Sequence, residues 1–204
     1  MFSNLSRRNG MLVIAMAMLV GAPVVAQTPV ELNVMPLPAK VQLASGVLPI
    51  DRGFTIGFTG FRDERLERAA QRFLVQLHRE TGIVFASPGA QAGILAPRDA
   101  ARATLLVTTG RDSKPVRELG EDESYTLEVT PTSAKLNAPT ALGTLRGLQT
   151  FLQLVSITPN GFSVPAVLIQ DQPRFPWRGL MIDSARHFIP VAVIKRNLDG
   201  MEAV

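Results

Sequence analysis

The chain has 204 residues, of which 46% are apolar and 19% charged, with a formal net charge of +4. That length suits one ordinary domain with additions, is too short for a complete (β/α)8 barrel behind a leading domain, and has too apolar a composition for a disordered chain. Cysteine is absent, which excludes disulfides, thiolate metal sites, a cysteine nucleophile and a lipid-anchoring cysteine.

The chain opens with Arg7 and Arg8 ahead of an apolar stretch from Met11 to Val20, and small residues follow at Val24-Val25-Ala26. A positive stretch, a short apolar run and small residues form the pattern of an export signal. The expectation is a signal peptide over 1–26, cleaved after Ala26, and a periplasmic or secreted product. Gly21 and Pro23 interrupt the apolar run, which at roughly 16 residues is short for a bilayer span. No stable membrane span is expected once the signal is removed. Without Arg7 and Arg8, 19 basic side chains face 17 acidic ones. They are scattered, with no basic stripe or aromatic platform, so nucleic acid is not an expected partner.

Residues 29–53 are proline-rich with short apolar pieces and predict extended segments and short strands, since each proline removes a ladder donor. Residues 54–58 predict a strand. Helix is expected over 63–81, with Asp63 as cap, Leu66, Ala70, Phe73, Leu74 and Leu77 as its apolar stripe, and Gly82 as its stop. Residues 83–99 are small, polar and proline-containing, and predict a loop. A buried strand is expected over 103–108.

Residues 124–129 and 133–137 alternate with period two around Thr130-Pro131-Thr132, the pattern of an antiparallel hairpin. The preceding Glu121-Asp122-Glu123 is taken as a solvated turn. Thr140 caps a second helix with its stripe at Ala141, Leu145, Leu148, Leu152 and Val155. Gly143 and Gly147 within it point to close packing. A last strand is expected over 162–170. Each helix must bury one stripe, and the economical arrangement is an α+β domain over 27–171, a sheet with two helices packed on it.

Asp171 to Pro176 carries two prolines in four residues and predicts a linker. An apolar strand is expected over 177–183, then a helix from Ile189-Pro190 onward with Val191, Ile194, Leu198 and Met201 on one face. No stop signal follows Met201. A lone strand and helix cannot bury their own faces, so a second domain is expected to begin at 172 and to continue beyond Val204.

PRFPWRGLMIDSARHFIPVAVIKRNLDGMEAV, residues 173–204, resembles the entry to the catalytic domain of glycoside hydrolase family 20. The resemblance rests on Arg174-Phe175-Pro176, Arg178-Gly179, Asp183 and Arg186-His187-Phe188, with Ile194, Leu198, Asp199 and Met201 on the helix. YTLEVTPTSAKLNAPTALGTLRGLQTFLQLV, residues 125–155, is similar to that family's N-terminal accessory domain. The resemblance implies the first βα unit of an incomplete (β/α)8 barrel behind the accessory domain. It also implies an exo-β-N-acetylhexosaminidase that removes terminal β-linked N-acetylglucosamine or N-acetylgalactosamine with retention, the substrate's acetamido group attacking the anomeric carbon. The family's Asp-Glu pair and sugar-lining tryptophans fall past residue 204, so no catalytic residue is expected within this chain.

The resemblance implies a sugar-hydroxyl contact for Arg178. A guanidinium suits that task because its fixed fork donates to two neighbouring oxygens; the alternative is a structural pair with a nearby acid. Asp183, Arg186 and His187 either line the pocket or hold their loop together by internal pairing. No second ligand stands at metal spacing from His187, so neither metal nor other cofactor is expected. Trp177 is expected to pack between domains. The implied partner is an oligosaccharide or glycoconjugate ending in N-acetylhexosamine. The competing function is a non-catalytic exported module that binds carbohydrate or protein.

Overall fold

The computed structural model describes residues 32–85, 90–91 and 93–203; the expected export signal, 1–26, lies outside them. Among the described residues the strands form one nine-stranded sheet. In chain order the elements are β1 (Lys40–Ile50), β2 (Ile56–Gly60), α1 (Glu64–Thr81), β3 (Ala90–Gln91), β4 (Ile94–Leu95), a 3-10 turn (Pro97–Arg102), β5 (Leu105–Arg111), β6 (Tyr125–Val129), β7 (Ala134–Thr140), α2 (Ala141–Leu154), β8 (Ser156–Thr158), β9 (Gly161–Asp171) and α3 (Val191–Glu202).

The strand order is β1-β9-β6-β7-β5-β2-β4-β3, with β8 paired to β9. β5 runs parallel to both β2 and β7, while β6 is antiparallel to both β7 and β9. β7 and β9 therefore point the same way with β6 between them, and α2 crosses over β6 to join them. The proline-rich start, expected as short pieces, forms one long edge strand: β1 pairs with β9 from Lys40↔Gln170 to Ile50↔Phe162. A register shift between Leu43 and Val47 accommodates Gly46, whose φ is +100°. Pro49 has no N–H, and the edge position of β1 tolerates that loss. The expected loop over 83–99 holds β3, β4 and the start of the 3-10 turn.

Both helices form as their sequences dictate. Asp63 accepts from the Leu66 amide at 2.9 Å, and Gly82 closes α1 at φ +69° with its N–H on the His78 carbonyl. Leu66, Ala70, Phe73 and Leu77 of α1 are buried. Thr140 caps α2 by accepting from Gly143 N at 3.2 Å, and it donates to the Asp122 carbonyl at 2.6 Å. The two helices share one hydrophobic core over the sheet, as the two apolar stripes require. Phe73 of α1 and Phe151 of α2 meet at 5.7 Å between ring centroids, with Phe54 5.8 Å from Phe151. Full burial of each such ring is worth roughly 1.5–3 kcal/mol, plus about 0.5–1.5 kcal/mol per tilted aromatic pair.

α2 approaches the sheet closely because it has no side chain at two positions. A Cβ at Gly143 would lie 2.1 Å from the Ser124 carbonyl oxygen, and one at Gly147 would lie 2.2 Å from Leu136 Cδ1. Buried polar groups near this contact are paired: Thr109 with Thr144 at 2.7 Å, and Tyr125 Oη with Thr150 Oγ1 at 2.6 Å.

Past Asp171 the structure departs from the sequence reading. No strand forms over 177–183. A strand exists only by pairing, and no described segment lies alongside this one. Its apolar residues face solvent among the described residues, with Trp177 81% and Met181 93% exposed. α3 follows with Pro190 at its N-cap and no buried residue. It is tethered by Arg72 to Glu202 at 3.2 Å and by Gln153 Nε2 to the Ala203 carbonyl at 2.6 Å. No helix of the described residues is long and apolar enough to cross a membrane.

Candidate functional site

Chemistry-bearing residues gather where the chain leaves the sheet. Tyr125 and Asp171 are ladder partners at the ends of β6 and β9. The Tyr125 hydroxyl donates to Asp171 Oδ2 at 3.1 Å, and Asp171 Oδ1 accepts from Ala39 N at 2.9 Å. Burial, followed by the Asp171 carboxylate, raises the Tyr125 phenol above its ordinary range despite the Thr150 hydrogen bond. The segment after Asp171 therefore starts beside the beginning of β6.

Two residues before Tyr125 the structure corrects the sequence. Glu123, expected in a solvated turn, is 7% exposed. Its Oε1 accepts from Arg117 Nη2 at 2.7 Å, and its Oε2 accepts from Arg146 Nε at 2.8 Å and Arg178 Nη2 at 2.7 Å. A carboxylate is held in such a position only by close positive partners. Burial opposes its ionisation, but the donations and charges of Arg146, Arg178 and Arg117 outweigh it and hold the carboxyl below its ordinary value. Sequence reasoning missed Glu123 because its partners come from a loop, from α2 and from beyond β9. The one local hint is its place two positions before a strand whose alternation starts inward at Tyr125. Its neighbours do behave as a turn: Glu121 caps the amides of Lys114 and Glu118, and Asp122 accepts from Ser124.

Arg178, the sequence's sugar-binding candidate, donates from Nη2 to Glu123 and from Nη1 to the Phe175 carbonyl at 2.7 Å. This is the acid pair the sequence offered as the alternative role. Two of its five N–H groups are engaged in these bonds, so donors remain. Asp183 and Arg186 come together separately. Asp183 Oδ1 accepts from the amides of Ala185 and Arg186, and Oδ2 pairs with Arg186 Nε at 2.7 Å. Those amides, then the Arg186 side chain, keep the Asp183 carboxyl below its ordinary value. Arg186 is largely exposed, and His187 is exposed next to it. The structure thus does not join Arg178 to that loop.

A crevice of about 240 Å³ runs past this junction, lined by Tyr125, Arg146, Gln149, Gln153, Arg174 and Arg178 among others. A wider hollow of about 740 Å³ lies between α1 and residues 94–97. Its polar lining, Arg62, Glu67, Gln71 and His78, comes from α1 and the turn just before it, whereas the junction also gathers Arg174 and Arg178 from the chain beyond β9 and is the better candidate. Among the described residues no group of three or more His, Asp and Glu is placed to hold a metal ion.

Two family models meet at this junction. Residues 34–154 match the model described as beta-acetyl hexosaminidase like, and residues 175–204 match the glycosyl hydrolase family 20 catalytic domain. The sheet with its two helices thus matches a β-acetyl hexosaminidase-like domain, and residues 175–204 match part of a family 20 catalytic domain. The chain belongs to glycoside hydrolase family 20, the β-N-acetylhexosaminidases.

Among its relatives, β-hexosaminidase subunit A1 of Dictyostelium discoideum is 35% identical over 187 residues, 88% of this chain and 32% of its own length. β-Hexosaminidase 1 of Arabidopsis thaliana is 33% identical over 184 residues, 81% of this chain and 33% of its own. Among solved structures, the Flavobacterium johnsoniae chitobiase superimposes with a TM-score of 0.76 at 40% identity, covering 84% of this chain and 25% of that one. A Streptomyces plicatus β-hexosaminidase in complex with its product GlcNAc gives 0.65 at 26% identity, covering 88% and 33%. The chain thus spans about a third or less of the length of these relatives.

Proposed function

We propose that this chain is the N-terminal part of an exported exo-β-N-acetylhexosaminidase that acts on glycans ending in β-linked N-acetylglucosamine or N-acetylgalactosamine. The observation that carries the reading is the order of its parts: residues 34–154 match the β-acetyl hexosaminidase-like model, and residues 175–204 after them match the family 20 catalytic domain. The GlcNAc-bound relative supports the substrate class. The family mechanism is substrate-assisted, and the resemblance puts its Asp-Glu pair outside these 204 residues.

Within this chain, Arg178 and the Asp183-Arg186-His187 loop are the groups we assign to the sugar. Arg178 brings donors beyond those used on Glu123 and Phe175. Arg186 is the freer guanidinium, held at one nitrogen by Asp183. The test is hydrolysis of an aryl N-acetyl-β-glucosaminide by the purified 204-residue chain and by a chain continued from the same gene to the relatives' length. The longer chain should release the aryl alcohol and the shorter one should not, because general acid–base catalysis alone contributes roughly 10²–10⁴ in rate. A folded longer chain inactive on the aryl N-acetyl-β-glucosaminide and on the matching N-acetyl-β-galactosaminide would refute the assignment and favour a binding module.

Export rests on Arg7, Arg8 and the apolar run to Ala26, the pattern of a cleaved signal. Intact mass of the exported product should show Gln27 as its first residue; a chain starting at Met1 would overturn that.

A further inference from the structure

We infer that Glu123 is a positioning residue through which the accessory domain sets the direction of the catalytic segment and orients the Arg178 guanidinium. Part of this rests on the role proposed above for Arg178; the docking itself does not. Three chain segments meet on one carboxylate: Arg117 from the loop after β5, Arg146 from α2, and Arg178 from beyond the sheet. Arg117 and Arg146 belong to the same unit as Glu123 and prepare it. They fix both carboxylate oxygens and leave Oε2 facing the departing chain. Arg178 is the only one of the three that comes from outside residues 34–154.

Among the described residues, the segment around Arg178 makes few other polar ties to the sheet. Phe175, Trp177, Leu180 and Met181 are exposed. The other polar tie close by is Arg174 Nη2 to the Leu37 carbonyl at 3.4 Å, a long bond. The Glu123–Arg178 contact is shorter, charge-assisted and joined to a buried anion, so it is the stronger restraint. It also fixes the fork's plane, because Nη1 is held at the same time by Phe175 O. Glutamine cannot replace Glu123. It offers one oxygen where two are used, and its NH2 would face a guanidinium.

The chain contains a single tryptophan, Trp177, next to Arg178, and it reports on the docking. Parent, Glu123→Gln and Arg178→Met forms of the 204-residue chain would be compared by Trp177 fluorescence anisotropy and by chymotryptic cleavage after Trp177. The expected result is lower anisotropy and cleavage at least about fivefold faster in both variants, since cleavage follows the population of the open form. Arg178→Met keeps Glu123 paired with Arg117 and Arg146, so it decides the matter even if Glu123→Gln does not fold. Unchanged anisotropy and cleavage in the folded variants would overturn the docking.

A second arm uses the longer chain and combines Glu123→Gln with Arg178→Lys. If Glu123 acts through Arg178, the double variant should lose no more than about threefold in kcat/KM beyond Arg178→Lys alone. Fully multiplicative losses would refute the positioning role. An inactive longer parent would count against the proposed function, and the Trp177 experiment would still judge the docking.

Discussion

Placing one methyl group at Gly143 tests how tightly α2 rests on the sheet. Alanine is worth about 1 kcal/mol more than glycine inside a helix, so propensity alone predicts a more stable protein. The structure predicts the opposite. The added Cβ would sit 2.1 Å from the Ser124 carbonyl oxygen and 3.1 Å from Ala138 Cβ. The carbonyl cannot retreat, because Ser124 is tied by its own N–H and Oγ to Asp122 and precedes a ladder-paired Tyr125. The helix would have to rise by about 1 Å to restore an ordinary contact, opening the 2.7 Å Thr109–Thr144 bond beneath it. Overpacking of this kind costs roughly 1–3 kcal/mol and occasionally more. Net of propensity, Gly143→Ala should lower stability by up to about 2 kcal/mol, or up to roughly 8 °C in Tm for a unit of this size. Gly200→Ala in α3 is the control: its Cβ would meet nothing within 4 Å, and it should be neutral or stabilising. Circular dichroism melts of both would decide. A Gly143→Ala chain that melts at or above the parent would show that α2 is not seated as described.

Removing one ring of the aromatic cluster, Phe73→Ala, should cost about 3–5 kcal/mol in urea unfolding, because Phe73 is buried against both Phe54 and Phe151. Glu123 has a folded-state pKa below its ordinary value. Its contribution is therefore complete above the unfolded pKa of about 4.3 and is lost as pH falls through the folded value. The Tm difference between parent and Glu123→Gln should shrink below about pH 4; a constant difference from pH 3 to 7 would contradict the ion-pair network. Tyr125 is the only tyrosine, and its phenol is raised. Absorbance titration should show no ionisation near pH 10 while the chain is folded. In this case the stability from the raised group is full below about pH 10 and falls as pH rises further. Arg178→Lys in the longer chain keeps the charge and loses the fork, and should lower kcat/KM roughly ten- to a thousandfold with folding intact; parental kinetics would make Arg178 purely structural.

What the sequence made legible is encoded within a few residues. Asp63 and Gly82 bound α1, Thr140 starts α2, and the alternation around Thr130-Pro131-Thr132 gives the β6–β7 hairpin. The misses each depend on a distant partner. Residues 40–50 look like separate extended pieces until β9 supplies a ladder for all of them. Glu123 looks solvated until Arg146 and Arg178 reach it from 23 and 55 residues away. Residues 177–183 show the converse: an apolar run with strand propensity finds no partner among the described residues.

The pairing of β1 with β9 has a consequence for how the protein is made. The hairpin joins Val129 to Ala134, whereas the sheet's outer edge joins Lys40 to Gln170. By the logarithmic dependence of closure entropy on loop length, that outer pairing starts at a disadvantage of about 3 kcal/mol relative to the hairpin. It cannot begin until nearly the whole domain has left the ribosome, and long-range pairing of this kind is slow. Until then the apolar face of β1 has no neighbour, and translation adds the apolar 175–201 stretch directly behind β9. Folding yield of this chain should therefore depend on holdases that shield Leu48 and Ile50 until β9 is free to pair with them.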